Sequence, residues 1–387
     1  MPSTAKHKIT ILTEIIAPYR IPVFNALSRN ENVALHVIFL AETDASLRQW
    51  RVYKDEIQFS YEVLRSRRWR IGKRNMLLNA GMRKALSAAS PDSVICGGYN
   101  YLASWEALAW ARRKSIPFFL WSESNRQDAR SGRTTVEFLK REFLKRCAGF
   151  VVPGKSAHTY LESLGVSADR IITAPNAVDN EVFARQAKAV KQNENIFSRK
   201  LALPARYILY AGRLVREKGV FDLLDAYSRL AADLRSVVSL VYVGDGAARE
   251  ELQTRAKEIS PGEVLYSGFI HRDEIASFYS FADVLVLPTH SDTWGLVVNE
   301  GMACGLPIIV SNVAGCVSDL VDDGWNGYSV LPKNPKRLAE VLESLLKDTE
   351  KILSMGEHSR QRIQHYSPEA CAQGLAQVAA FCATEVQ

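Results

Sequence analysis

Short runs of aliphatic and β-branched residues alternate along the chain with stretches whose apolar positions recur at helical spacing. In the first half the runs are KITILT, ALHVIFL, SVICGG, IPFFLWS and GFVVPG, and residues 101–113 and 134–146 between them carry the helical period. In the second half they are RYILYAG, SVVSLVYVG, EVLYSG, DVLVLP and PIIVS. Short continuous apolar runs separated by helices are what strands buried on both faces of a parallel sheet look like. The pattern predicts an α/β chain of two doubly wound, Rossmann-like domains built from βαβ units. The polar stretch ARQAKAVKQNENIFSRK, residues 184–200, shows neither period and is the expected boundary. Domains are therefore expected over 1–190 and 200–366, with an amphipathic terminal helix in 367–387. No repeat at solenoid spacing and no low-complexity tract is visible.

Length and composition fit that division. The 387 residues, 47% hydrophobic and 24% charged, suffice for two separate cores. No long uncharged apolar run is present, so a membrane-spanning helix is not expected. The opening MPSTAKHKITILTE passes from a short basic tail straight into the first apolar run, without a small-residue cleavage site, and is not read as a signal peptide. Cys96, Cys147, Cys304, Cys316, Cys371 and Cys382 form no CxxC pair and have no His at ligand spacing. They are expected to be reduced thiols of a cytosolic protein, neither zinc ligands nor disulfides.

The net charge of +7 is unevenly spread. Residues 1–195 hold 30 Lys and Arg against 18 Asp and Glu, whereas residues 196–387 hold 19 against 24. The densest basic segment is RSRRWRIGKR, residues 65–74. There Arg65, Arg67, Arg68, Arg70, Lys73 and Arg74 surround Trp69 without an acid, an arrangement suited to anionic headgroups with one aromatic at the interface. A solvated basic loop that aids solubility is the alternative. No nucleic-acid motif or aromatic platform accompanies the charge, so nucleic acid is not an expected partner.

Ligands of open α/β sheets sit beyond the carboxyl ends of the strands, and the candidate chemistry lies there. In HSDTWGLVVNEGMACGLPIIVSN, residues 290–312, a loop leaves a buried strand and enters a short helix beginning at about Trp294 to Leu296. Free N–H groups and the dipole at such a terminus favour a phosphate, and Gly295 lets a ligand approach the backbone. Glu300 lies one turn after Leu296 on the same face, where its oxygens can accept from a ribose diol. Asp292 can reach a polyhydroxylated group beyond the phosphates. The bland alternatives are that Asp292 caps the helix and Glu300 is solvated. The second segment is YILYAGRLVREKGVFDLLDAY, residues 207–227. Its strand ends at Gly212 and Arg213, with Lys218 five positions on; Arg offers a planar fork and Lys a point charge to a diphosphate. A basic surface turn is the alternative for either residue alone.

Together GRLVREKG, VGDG at 243–246, SGFI at 267–270 and SDTWGLVVNEGMACGLPIIVSNVAG resemble the C-terminal half of the retaining glycosyltransferases of family 4. PGKSAHTYLESLGVSADRIITAPNAVD, residues 153–179, is similar to that family's approach to the interdomain linker. The resemblance implies the GT-B fold, two Rossmann-like domains facing across a cleft, with the terminal helix crossing back to the first. It implies a UDP- or GDP-sugar donor, transfer with retention to a glycan or lipid-linked acceptor, and a role in polysaccharide or glycoconjugate biosynthesis. By the same resemblance Glu300 holds the nucleotide ribose, Asp292 contacts the transferred sugar with backbone amides around Trp294 to Leu296, and Arg213 and Lys218 hold the diphosphate and stabilise the leaving group. No cofactor or metal is implied, since two cations and a helix terminus offset the phosphate charge.

The chain departs from the family pattern in three places. The first Glu of the two-glutamate motif is here Asp292. The usual glycine-rich loop after the first strand is replaced by TEIIAPYRIPVFNAL, with Pro18, Tyr19 and Arg20 at the turn. The family's frequent His after the fifth strand falls near Ser122, with Glu123 as a neighbouring candidate. Tyr99 and Asn100 could line an acceptor site or form a plain turn. Asn176 and Asp179 are read as turn or cap residues, and His271 and His290 as lone histidines. A sugar-nucleotide epimerase of the same fold and a non-enzymatic polyanion-binding or membrane-binding protein remain as alternative functions. The expected location is the cytoplasm, with reversible docking on the inner membrane face.

Overall fold

The computed structural model describes residues 5–44, 50–71, 74–125, 134–193 and 201–384. By its internal contacts the chain divides into two compact units, Met1–Val178 with Ser367–Gln387, and Asp179–Tyr366. The division falls just ahead of the polar stretch 184–200. The first part of that stretch is helical, within Asn180–Gln192. Phe183, Ala187 and Val190 are its buried positions, a helical spacing diluted among polar residues. Asp179 caps this helix by accepting from the Val182 N–H at 3.0 Å.

The first unit contains β1 (His7–Thr13), β2 (Val33–Phe39), β3 (Ser60–Val63), β4 (Arg65–Ile71), β5 (Arg74–Ala80), β6 (Ser93–Cys96), β7 (Phe118–Trp121), β8 (Gly149–Val152) and β9 (Ile171–Thr173). Seven of these make a parallel sheet in the order β3-β2-β1-β6-β7-β8-β9. Four-residue strands such as SVIC and FFLW are buried at every position, because helices cover both faces of the sheet. The terminal helix Pro368–Thr384 belongs to this unit and buries Cys371, Leu375 and Val378 in its core. Phe381 meets Phe119 edge-on at 5.3 Å.

The remaining strands, β4 and β5, form an antiparallel hairpin. Residues 65–71 and Arg74 of the basic segment are therefore strand, not loop. Trp69 stands opposite Met76 and Arg68 opposite Leu77. Arg68 is withdrawn from the expected free patch, since its guanidinium lies 2.5 Å from the buried Asp44 carboxylate and 3.6 Å from Glu14. Lys73 and the side chains of Arg70 and Arg74 lie outside the described residues.

The second unit holds β10 (Tyr207–Ala211), β11 (Ser239–Val243), β12 (Val264–Gly268), β13 (Val284–Leu287), β14 (Ile308–Ser311) and β15 (Gly327–Val330). They form a parallel sheet in the order β12-β11-β10-β13-β14-β15, a doubly wound Rossmann order. The order reverses between β10 and β13, and a crevice opens beyond the carboxyl ends of strands at such a switch. In the first unit the corresponding reversal is between β1 and β6. None of the six cysteines is in a disulfide, and all are buried. Among the described residues no helix is long and apolar enough to cross a membrane.

Candidate functional site

The two sequence segments singled out above leave the two strands that flank the second unit's switch point. Gly212 and Arg213 follow β10, while Asp292, Trp294 and Gly295 lie in the exit of β13. Segments so far apart in sequence are fastened together by backbone and side-chain contacts. Glu217 accepts from the His290 N–H at 2.8 Å and from the Thr289 hydroxyl at 3.2 Å. Gly219, at φ +68°, sits so close to β13 that a Cβ there would lie 1.8 Å from the Pro288 carbonyl oxygen. Only glycine permits that approach.

Lys218 and Asp292 meet across this junction, Nζ to Oδ2, at 2.5 Å. Lys218 Nζ also lies 3.4 Å from the Ser291 carbonyl. The other Asp292 oxygen accepts from the Trp294 N–H at 3.3 Å, so Asp292 orders its own loop while holding the lysine. Arg213 is exposed, and its carbonyl accepts from the buried Tyr210 hydroxyl at 2.8 Å. Among the described residues no ion pair engages the Arg213 guanidinium, which leaves it open to an anion.

The helix expected from the sequence is present as Leu296–Ala303, with Gly295 as its N-cap at φ +99°. A Cβ on Gly295 would come within 2.9 Å of Leu287 Cδ2. First-turn N–H groups lack the usual partner one turn back, and here the Val298 N–H is met by the Gly295 carbonyl at 2.9 Å. The Trp294 side chain takes no part in this opening. It is 2% exposed, donates to Asn299 Oδ1 at 2.9 Å and lies against Tyr366, so only its backbone remains for a ligand.

Glu300 accepts from the Tyr279 hydroxyl at 2.6 Å. Burial pushes its carboxyl up to about 7, opposed in part by the tyrosine hydrogen bond. A carboxylate held at that point by a fixed donor is oriented and sparsely solvated, suited to accepting from a diol. The sequence carries no signal for Tyr279, since nothing in helix Arg272–Phe281 distinguishes it from core aromatics. His290 is likewise not alone. Its Nε2 lies 2.7 Å from Asp222 Oδ2, which also accepts from the Lys333 N–H at 3.1 Å. His271 is the N-cap residue of helix Arg272–Phe281, with its ring against Phe269.

In the first unit, Arg20 pairs with Glu123 and lies 4.0 Å over the Trp121 ring. The pair holds the turn at Pro18 to Arg20 against the end of β7, the position where the sequence offered Glu123 for the missing His. Ser122 is buried beside it. Tyr99 packs on Phe143, and its carbonyl accepts from Trp105 Nε1 at 3.0 Å, a structural turn. Among the described residues no group of three or more His, Cys, Asp or Glu side chains could hold a metal.

Residues 191–362 match the family model described as glycosyl transferases group 1. That match lies within the second unit and shows what it is similar to, and two parallel Rossmann-like sheets give the chain the GT-B fold. Residues of this chain are 32% identical over 197 positions to the D-inositol 3-phosphate glycosyltransferase of Xylanimonas cellulosilytica, covering 50% of this chain and 47% of that one. They are 26% identical over 292 positions to the sulfoquinovosyl transferase SQD2 of Arabidopsis thaliana, covering 73% and 53%. The chain spans less than half the length of the first curated relatives it matches. The crystal structure of Anabaena HepE with UDP-glucose has a TM-score of 0.74 at 17% identity, covering 96% of this chain and 99% of that one.

Proposed function

We propose that the protein is a retaining glycosyltransferase that moves a sugar from a UDP- or GDP-linked donor to a glycan or lipid-linked acceptor in glycoconjugate biosynthesis. The observation that carries the reading is the Lys218–Asp292 contact at one switch point, where Arg213 leaves β10 and the segment that leads into the helix bearing Glu300 leaves β13. In it the donor diphosphate lies at Arg213, Lys218 and the helix terminus, and the ribose diol donates to Glu300. As the bond from the anomeric carbon to the diphosphate oxygen breaks, the electron pair goes to that oxygen, where the two cations stabilise the growing charge. Neither a metal nor a cofactor is required in this scheme, because the anion is already met by two positive side chains and a helix dipole. Asp292, still beside Lys218, accepts from a hydroxyl of the transferred sugar. We place the acceptor with the first unit and the protein in the cytoplasm.

Purified protein incubated with UDP- and GDP-sugars, with and without lipid-linked acceptors, tests the reading. Release of nucleoside diphosphate that depends on acceptor is expected. Interconversion of sugar nucleotides without an acceptor would assign an epimerase, and no consumption of any donor would overturn both.

A further inference from the structure

The hairpin β4–β5 sorts its side chains onto two faces with the two-residue period of a strand. On the inner face are Arg68, paired with Asp44 and Glu14, and Leu77, which is buried in the core of the first unit. Asn79, on that same face, donates to the Leu40 carbonyl. Glu14 follows β1, while Leu40 and Asp44 follow β2. The hairpin is thus fastened to the carboxyl-end loops of the first sheet, the end at which such sheets take ligands.

The outer face carries Arg65, Arg67 and Trp69, with Met76 directly across from Trp69. Trp69 is 51% exposed and Met76 40%, and both arginines are exposed. No acidic residue occurs in 65–80. Trp69 and Met76 thus set two large apolar side chains side by side in water, and among the described residues no ion pair engages Arg65 or Arg67. An anionic bilayer satisfies both parts at once. Its phosphates take the guanidinium forks, and its interfacial layer takes the indole, with an apolar body and a polar N–H. The surrounding field agrees, because the first unit holds 27 Lys and Arg against 17 Asp and Glu.

We propose that the outer face of this hairpin docks on an anionic bilayer, with Trp69 and Met76 entering the interface and Arg65 and Arg67 at the headgroup phosphates. Arg68 is excluded from the contact and serves as the anchor. Given glycosyl transfer as proposed above, on which this clause alone rests, docking brings the ligand end of the first sheet to a lipid-linked acceptor.

Flotation with vesicles of phosphatidylcholine alone, and of phosphatidylcholine with phosphatidylglycerol, tests the proposal. Recovery with the anionic vesicles at low salt is expected, with loss on neutral vesicles and in about 0.5 M salt. Combining Arg65→Ala with Arg67→Ala should weaken partition roughly 30-fold, about fivefold per charge and a little more. Trp69→Ser should also weaken it while leaving the salt dependence intact. The substituted side chains are exposed, so the melting temperature should be unchanged. Nucleoside diphosphate binding, measured on the same variants, should be unchanged too, which separates failure of docking from failure of the donor-site reading. Equal flotation with both lipids, or wild-type flotation by the double arginine variant, would overturn the proposal. So would binding to a soluble acidic polysaccharide with none to anionic vesicles.

Discussion

Lys218 Nζ lies 2.5 Å from Asp292 Oδ2, and the pair joins segments 74 positions apart at the ends of adjacent strands β10 and β13. The two side chains are 16% and 18% exposed, so the contact is shielded from water in a way that surface ion pairs are not. It holds the lysine over the switch point before any ligand arrives. Preorganisation of this kind lowers the reorganisation needed when charge develops on a leaving group.

The pair should behave as a coupled unit. Lys218→Ala leaves a partly buried carboxylate without its cation, and Asp292→Ala does the reverse. Urea denaturation of both single variants and the double variant should give a coupling of about 1 kcal/mol or more. Additive effects would mean that the contact contributes nothing to the fold.

Glu300 makes stability depend on pH in a direction opposite to most carboxylates. Its folded value is about 7 against an ordinary value of 4.5, so between those points the folded state holds a proton that the unfolded state has released. This contribution therefore falls as pH rises from the ordinary carboxylate range to about 7 and stays lost above it. Glu300→Gln, which keeps a partner for Tyr279, should melt higher than the parent at pH 8, with the gap closing toward pH 5. A gap that is the same at both pH values would remove the buried charge from the account.

The two carboxylates should also separate kinetically. Glu300→Gln is expected mainly to weaken binding of the whole nucleotide, while Asp292→Asn mainly lowers turnover, since only the sugar changes shape in the transition state. For the parent, donor affinity should fall as pH drops below about 7 and Glu300 gains a proton, and the Gln variant should lose that dependence. An intact sugar nucleotide is the right probe, because its diphosphate is esterified at both ends and does not titrate there. Unchanged nucleotide affinity in Glu300→Gln would contradict the ribose role.

His290 is a positioning residue on this geometry. It ties the β13 exit to Asp222 at 2.7 Å and to Glu217 through its backbone, and so fixes the loop that carries Asp292. His290→Ala should cost roughly tenfold in turnover through misplacement of the pair. His290→Gln, which can still donate to Asp222, should recover most of it. Wild-type kinetics in the Ala variant would limit the residue to surface packing.

How far this site is legible in the sequence depends on the range of the interaction. Runs such as DVLVLP and RYILYAG announce strands because burial on both faces makes them continuously apolar, and the residues that leave them follow directly. The helix Leu296–Ala303 is announced by Gly295 and the shift of period after it. By contrast, the His290–Asp222 pair spans 68 positions and the Tyr279–Glu300 pair crosses from one helix to another, with no periodic signal in either case. The hairpin β4–β5 is hidden because its outer face is Arg and Trp, so alternation reads as a basic loop. Helix Asn180–Gln192 is hidden for a similar reason, having only Phe183, Ala187 and Val190 to bury among its charges.

The central claim is that Arg213 and Lys218, brought to one switch point, hold a nucleotide diphosphate. Calorimetric titration of UDP and of GDP into the parent, Arg213→Ala and Lys218→Ala proteins tests it most directly. At least one nucleotide should bind the parent, and each variant should bind it about 10-fold to 100-fold more weakly, as expected for loss of a charge-assisted hydrogen bond. No binding of either nucleotide to the parent, or parent-like affinity in both variants, would contradict the account.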